Sequence, residues 1–166
     1  MDFTLRRATN RDLDFVFDLH RASFREYVEA TWGVWDETDQ RIRCLSTYVD
    51  SGQLQVVVVA GRDAGVLQRQ PDTAEFAREF GLGEGERSNF IELLEIAPEF
   101  RGQRLGTAII WDLQGEAAAA SRPLTLNVLR ANPRAKALYE RLAFRMTSED
   151  DIRFFMRWDP RSTPAV

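Results

Sequence analysis

The chain has 166 residues, of which 44% are hydrophobic and 29% charged, and its formal net charge is −4 at pH 7. This length and composition predict one soluble globular domain with a core of its own. The negative charge and the lack of a lysine- or arginine-rich tract argue against nucleic acid as a partner. No apolar run is long enough to span a bilayer, so no membrane association is expected.

The cysteine content indicates the compartment in which the protein is expected to work. Cys44 is the single cysteine and cannot form an internal disulfide, and the first residues do not resemble a signal peptide. A cytoplasmic location is therefore expected. Cys44 lies among Ile42, Leu45 and Tyr48, a setting typical of a buried structural thiol rather than a nucleophile. No metal site is expected.

Alternation and apolar periodicity predict most elements of the fold. In chain order they are a strand over residues 3–6, a helix capped by Thr9 or Asn10 and ending near 30, a helix over 37–49, a buried strand over 55–60, a turn at 61–63, a hairpin partner over 65–70, strands over 90–96 and 124–129, and a closing strand over 153–158. Residues 71–88 are the least regular, with a short helix at 73–80 as one option and no assigned role. Residues 1–158 are predicted to form one domain and 159–166 a loose tail.

A basic, glycine-containing turn at residues 99–108 follows the strand over 90–96 and precedes an apolar helical pattern. The first turn of a helix leaves N–H groups unpaired at the positive end of the helix dipole. Gly102 and Gly106 allow close approach of a ligand to the backbone, and Arg101 and Arg104 add full positive charges. The spacing fits neither a Walker A loop nor a dinucleotide fingerprint. The pattern predicts an anion site.

The second informative stretch follows the strand over 124–129. Asn132 is a good helix N-cap and Pro133 suits the first helical position. Tyr139 shares one face of this helix with Ala135 and Leu142.

These two stretches resemble the GNAT superfamily of N-acetyltransferases over residues 87–158. Residues 103–108 match the Gln/Arg-x-x-Gly-x-Gly/Ala turn that carries the coenzyme A pyrophosphate in that family, and residues 126–144 resemble its Asn-x-x-Ala…Tyr-(Glu)-x-x-Gly-Phe segment. Ala143 departs from the pattern, since glycine is usual there. The resemblance implies an α/β GNAT acyl-CoA N-acyltransferase fold: a mixed, twisted sheet of six or seven strands, helices on both faces, and a splay between the fourth and fifth strands.

The resemblance also implies acetyl-CoA as co-substrate. Unpaired backbone groups near Leu94, Glu95 and Ile96 are expected to meet the pantetheine arm, with an N–H at or near Ile96 as the oxyanion donor. Asn132 is a helix cap that could also reach the pantetheine. The predicted cofactor-binding residues are Leu94, Glu95, Ile96, Arg101, Gly102, Gln103, Arg104, Leu105, Gly106, Thr107 and Asn132.

Two residues are expected to handle protons. Tyr139 occupies the family's tyrosine position and is predicted to donate a proton to the departing thiolate, with simple packing on its helix face as the alternative. Glu92 lies where several family members place a base that acts directly or through water. A structural carboxylate is the alternative interpretation of Glu92, and both stay open. Glu95 falls on the opposite face of the strand.

The acceptor side is expected at the junction of the first two helices, which forms one wall of the acceptor groove in this family. Tyr27, Trp32, Trp35 and Asp36 combine aromatic rings with acidic charge, which suits a cationic amine. Ordinary core packing by the tryptophans is the alternative. His20 lies on an apolar stripe and is assigned to packing.

The sequence therefore predicts an acetyl-CoA-dependent N-acetyltransferase that moves the acetyl group directly to a primary amine, expected to be a small cationic molecule. The alternatives are a protein or peptide acceptor, a non-catalytic acyl-CoA-binding module, and a domain that binds another nucleotide at the same turn. A homodimer formed through the strand over 153–158 is a further option.

Overall fold

The computed structural model describes residues 2–71 and 76–160. In these residues the chain forms four α-helices and seven strands, and the strands are ordered β1-β2-β3-β4-β5-β7-β6 in one sheet. The helices are α1 (Leu13–Trp32), α2 (Glu37–Arg43), α3 (Leu105–Ala119) and α4 (Pro133–Arg141); the strands are β1 (Thr4–Arg7), β2 (Leu54–Val59), β3 (Arg62–Pro71), β4 (Asn89–Ile96), β5 (Leu124–Leu129), β6 (Arg145–Glu149) and β7 (Arg153–Trp158). None of the helices among the described residues combines the length and apolar character that a bilayer crossing needs.

The chain divides into two compact units, the first comprising residues 2–69 and 93–106. Its strands β1, β2 and β3 pair antiparallel. α1 buries Val16, Phe17 and His20 because these positions share one helical face. α2 continues into a π-helical segment, Cys44–Val49, so the predicted helix over 37–49 is confirmed in extent.

The β2–β3 turn lies one residue earlier than predicted. The expected turn at 61–63 is wrong, since β3 already begins at Arg62. Ala60 (φ 49°) and Gly61 (φ 74°) form the connection. Two successive residues with positive φ are the mark of a tight hairpin turn whose twist matches that of the strands.

The second unit comprises residues 70–92 and 107–160 of the described chain. Its strands β5, β7 and β6 pair antiparallel in that spatial order. β6 has no counterpart in the sequence prediction, because its exposed residues give no clear apolar alternation. β7 lies between β5 and β6, so both of its edges are already paired. The predicted pairing of this strand across a dimer is therefore wrong.

The segment before β4 packs on the core of the second unit. Residues 76–81 form turns rather than a helix, and residues 73–75 of the predicted helix at 73–80 lie outside the described residues. Phe76, Phe80 and Leu82 pack against Phe90 and Phe155. The residues that had no assigned role thus contribute an aromatic cluster to the core.

β4 and β5 form the parallel pair of the sheet. Their register covers three pairs, Asn89–Leu124, Phe90–Thr125 and Ile91–Leu126. In the described residues this register stops at Ile91, whereas β5 remains paired with β7 up to Leu129. The predicted splay between the fourth and fifth strands is confirmed, and so is the predicted fold class.

Candidate active site

The basic turn before α3 has an unusual backbone. Gly102 (φ 73°) and Arg104 (φ 63°) are both left-handed, with one residue between them. Arginine rarely adopts positive φ, and such strain is concentrated at functional sites. Left-handed residues in a tight turn can direct neighbouring N–H groups toward one side, where an anion can bind.

Three N–H groups of this turn are candidates for binding a ligand. Among the described residues, those of Gly102, Gln103 and Arg104 have no main-chain acceptor. The first N–H groups of α3, which starts at Leu105, lack intrahelical acceptors by helix geometry. The side chain of Leu105 is buried, which fixes the start of the helix. The turn and the helix N-terminus thus present a continuous run of donors at residues 102–107.

The two arginines of the turn differ in their contacts. Arg101 donates through Nε to the carbonyl oxygen of Ile96 and through Nη2 to Oγ of Ser23, both at 2.9 Å. These hydrogen bonds connect the turn to the end of β4 and to α1. Arg104 is exposed, and within the described chain no ion pair or hydrogen bond of its guanidinium is found. Arg104 is therefore the arginine whose charge is available to an anion.

Tyr139 lies on α4 in the second unit. It is half-buried, and its ring meets that of Phe144 edge-on at 5.6 Å. Burial raises the pKa of Tyr139 to about 12, so its hydroxyl stays protonated and able to donate.

The start of α4 fits the sequence prediction. Oδ1 of Asn132 accepts from the N–H of Ala135 at 3.1 Å, which confirms the predicted N-cap. Ala143, where the family pattern has glycine, adopts φ 65°. The compact turn after α4 is thus kept with a residue that strains it.

Glu92 and Glu95 lie on opposite faces of β4, as predicted. The burial pattern of the strand places Glu92 on the half-buried face with Leu94 and Ile96, and Glu95 on the buried face with Leu93. The carboxylate of Glu92 accepts a hydrogen bond from the Gln70 amide in the second unit. This contact suits both a base and a structural carboxylate.

The predicted acceptor residues have different surroundings. Trp35 is buried at 8% exposure, and Trp32 is 51% exposed at the end of α1. Tyr27 meets Phe24 edge-on at 6.3 Å. Asp36 caps α2 by accepting from the N–H of Asp39 at 2.9 Å, which gives it a structural role.

A buried pair of polar residues was missed by the sequence reasoning. His20 Nδ1 lies 2.6 Å from Oε1 of Glu95, and the two side chains are 4% and 1% exposed. The assignment of His20 to packing is incomplete, since the ring also holds a buried carboxylate. The signal in the sequence was the sole histidine on a buried helical stripe together with an acidic residue at a buried strand position.

Cys44 is buried, as predicted. Burial, and then the negative charge of Glu95, raises the pKa of Cys44 to about 12. We expect the native protein to resist a thiol reagent at a pH near 8 because the reactive thiolate is not populated, and to react at once in denaturant. Stoichiometric labelling of the native protein within minutes would contradict this expectation.

Comparison with known proteins identifies the family. A family model for the acetyltransferase (GNAT) family matches residues 13–144. No curated protein matches the sequence. Among solved structures, an acetyltransferase from Thermus thermophilus is 17% identical, with a TM-score of 0.71 and coverage of 96% of this chain and 97% of that one.

Two further structures are similar. The PaiA N-acetyltransferase from Thermoplasma acidophilum, in complex with coenzyme A, is 14% identical with a TM-score of 0.64, covering 96% of this chain and 99% of that one. A histone acetyltransferase HPA2 and related acetyltransferase from Corynebacterium glutamicum is 19% identical with a TM-score of 0.66, covering all of both chains. The TM-scores and coverage of these three structures show a shared fold. Because the family model spans most of the sequence, the chain belongs to the acetyltransferase (GNAT) family.

Proposed function

We propose that the protein is an N-acetyltransferase that moves an acetyl group directly from acetyl-CoA to a primary amine. The family uses acetyl-CoA. The observation that carries the proposal is the run of candidate N–H donors at residues 102–107, where no main-chain acceptor is found for Gly102, Gln103 or Arg104 among the described residues and Gly102 and Arg104 are left-handed. Such a run fits a diphosphate, which needs several convergent donors and positive charge.

The residues present fit coenzyme A in two further respects. β4 loses its β5 partner after Ile91, which makes Leu94, Glu95 and Ile96 the candidates for backbone hydrogen bonds to an amide-rich arm. The exposed Arg104 supplies a full charge beside the helix dipole. When bound, acetyl-CoA supplies the acetyl group as an activated thioester.

Tyr139 is proposed as the acid that protonates the departing sulfur. Its support is the resemblance of residues 126–144 to the family segment that carries this tyrosine, and the hydroxyl is protonated at physiological pH, as a donor must be. A backbone N–H at or near Ile96 is proposed to stabilise the negative charge that develops on the acetyl oxygen. Glu92 is the candidate base that the family resemblance implies, either directly or through water, and a structural carboxylate held by Gln70 is the alternative.

For the acceptor we propose a small cationic amine, because aromatic rings and acidic residues surround the α1–α2 junction. A protein or peptide amine is the second candidate, since one structural neighbour is named as a histone acetyltransferase. The single, buried cysteine is consistent with a cytoplasmic site of action.

The function is tested with acetyl-CoA, a panel of small primary amines and a panel of peptides, by following thiol release and the acetylated product. We expect kcat/KM for the best small amine to exceed that for any peptide by about tenfold or more. Turnover with peptides alone would overturn the small-molecule preference. Coenzyme A binding without transfer to any amine would favour the non-catalytic module, and tighter binding of ATP than of coenzyme A would favour a different nucleotide-binding function.

A further inference from the structure

The pair formed by His20 and Glu95 is unusual for a protein core. A buried carboxylate is costly unless it is paired and hydrogen-bonded. Here Oε1 of Glu95 lies 2.6 Å from Nδ1 of His20, and both side chains are almost completely buried. An ionised carboxylate can only accept, so Nδ1 donates to it in this contact, and a neutral His20 ring then carries its lone pair on Nε2.

Two polar atoms next to this pair have no partner among the described residues. They are Oε2 of Glu95, an acceptor, and Nε1 of Trp35, a donor. Native proteins leave few buried polar groups unsatisfied, because each one costs free energy. An acceptor and a donor left open around one histidine are complementary to a ligand that carries both an N–H group and an oxygen.

The surroundings of His20 favour a cationic ligand. Its ring stacks on Phe24 at 5.0 Å and contacts Trp35 and Tyr48 at 5.8 Å each. Phe24 and Tyr48 are partly exposed, so they mark the side on which the cluster meets solvent. The titratable neighbours are Glu95 from β4, Tyr48 and, through the charge of Glu95, the protonated thiol of Cys44. Aromatic rings beside a carboxylate bind ammonium groups.

We propose that His20 and Glu95, rather than Glu92, take the proton of the acceptor amine. The acceptor is a primary amine that also bears a hydroxyl or carbonyl oxygen: Glu95 Oε2 accepts from its nitrogen, and Trp35 Nε1 donates to its oxygen. This inference rests on the proposed N-acetyltransferase function. One ammonium N–H bond breaks, and its proton moves to Nε2 and then to solvent. The freed nitrogen forms the amide bond as the carbon–sulfur bond breaks. The nitrogen loses its second proton to solvent as the sulfur gains one, so each amide formed releases one proton in total and the charges balance.

The test compares Glu95→Gln, His20→Asn and Glu92→Gln with wild type, using Glu149→Gln as the matched control on an exposed residue paired with Arg130. His20→Asn keeps a donor near the position of Nδ1 but removes Nε2. For each variant we measure kcat/KM for the best amine across pH, coenzyme A affinity by calorimetry, and the melting temperature. Amines with and without a neighbouring oxygen form the substrate series.

We expect Glu95→Gln and His20→Asn each to lose about 100-fold in kcat/KM near pH 7, with coenzyme A affinity kept. The loss should shrink as pH rises toward the pKa of the amine, because the free amine needs no base. Glu92→Gln should lose less than Glu95→Gln. A purely structural pair would give a loss that does not change with pH. If Glu95→Gln fails to fold, the pH dependence of His20→Asn decides the question.

Two results separate the inference from the function on which it rests. If wild type acetylates amines and the His20 and Glu95 variants match it, or lose activity equally at every pH, the inference is wrong and the function stands. A larger loss in Glu92→Gln than in Glu95→Gln would return the base to Glu92. If wild type acetylates no amine at all, the proposed function fails and the inference with it.

Discussion

Replacing Tyr139 by phenylalanine should lower kcat about 100-fold, the usual effect of losing a general acid. Phenylalanine keeps the aromatic ring that meets Phe144, so the melting temperature and coenzyme A affinity should stay close to those of wild type. The measurement is steady-state kinetics of thiol release at saturating amine. A variant that matches wild type on every acceptor would remove the acid assignment and favour packing.

The raised pKa of Tyr139 also determines how pH should affect kcat and stability through this residue. The folded-state value of about 12 lies above the ordinary 10.0, so the hydroxyl remains protonated below about pH 10 in both the folded and the unfolded chain. Tyr139 therefore contributes no alkaline fall in kcat below that pH, and it lowers stability only as pH rises from about 10 toward 12. A fall in kcat near pH 8 that Tyr139→Phe abolishes would contradict this assignment.

Replacing Gly102 by valine should weaken coenzyme A binding about 10- to 100-fold. Gly102 has φ 73°, which a β-branched residue resists, so the turn must relax and its N–H groups lose their common direction. Each charge-assisted hydrogen bond lost accounts for about 1.5–3 kcal/mol, which is a factor of about 10 to 100 in affinity. Titration calorimetry with coenzyme A measures the change.

Gly61 provides a matched control for this substitution. It has φ 74° in the β2–β3 turn, and, like Gly102, it has open space where a Cβ atom would lie. Gly61→Val should therefore cost similar stability through backbone strain while leaving coenzyme A affinity unchanged. Equal weakening of binding by both variants would show that strain, rather than the donors of the turn, determines the affinity.

Local sequence patterns predicted the parts of the fold that depend on neighbours along the chain. The extents of β4 and β5, the Asn132 cap and the turn that opens α3 were all found as expected. Each depends on signals within a few residues, such as a capping side chain or an apolar run bounded by glycine or proline. The parity of β4 also placed Glu92 and Glu95 on opposite faces.

Features that depend on distant residues were not predicted. β6 is polar and mostly exposed, and its pairing with β7 on the side away from β5 is decided by the sheet as a whole. His20 and Glu95 are 75 residues apart, and each sits in an apolar pattern that by itself indicates only burial. No periodicity within one element shows that two buried positions in different elements face one another.

The most direct test of the central claim is a crystal structure of the protein with coenzyme A. We expect phosphate oxygens to accept hydrogen bonds from the N–H groups at residues 102–107, and the sulfur to lie within hydrogen-bonding distance of the Tyr139 hydroxyl. A bound coenzyme A whose phosphates avoid those N–H groups, or a Tyr139 hydroxyl turned away from the sulfur, would contradict the proposed site and its chemistry.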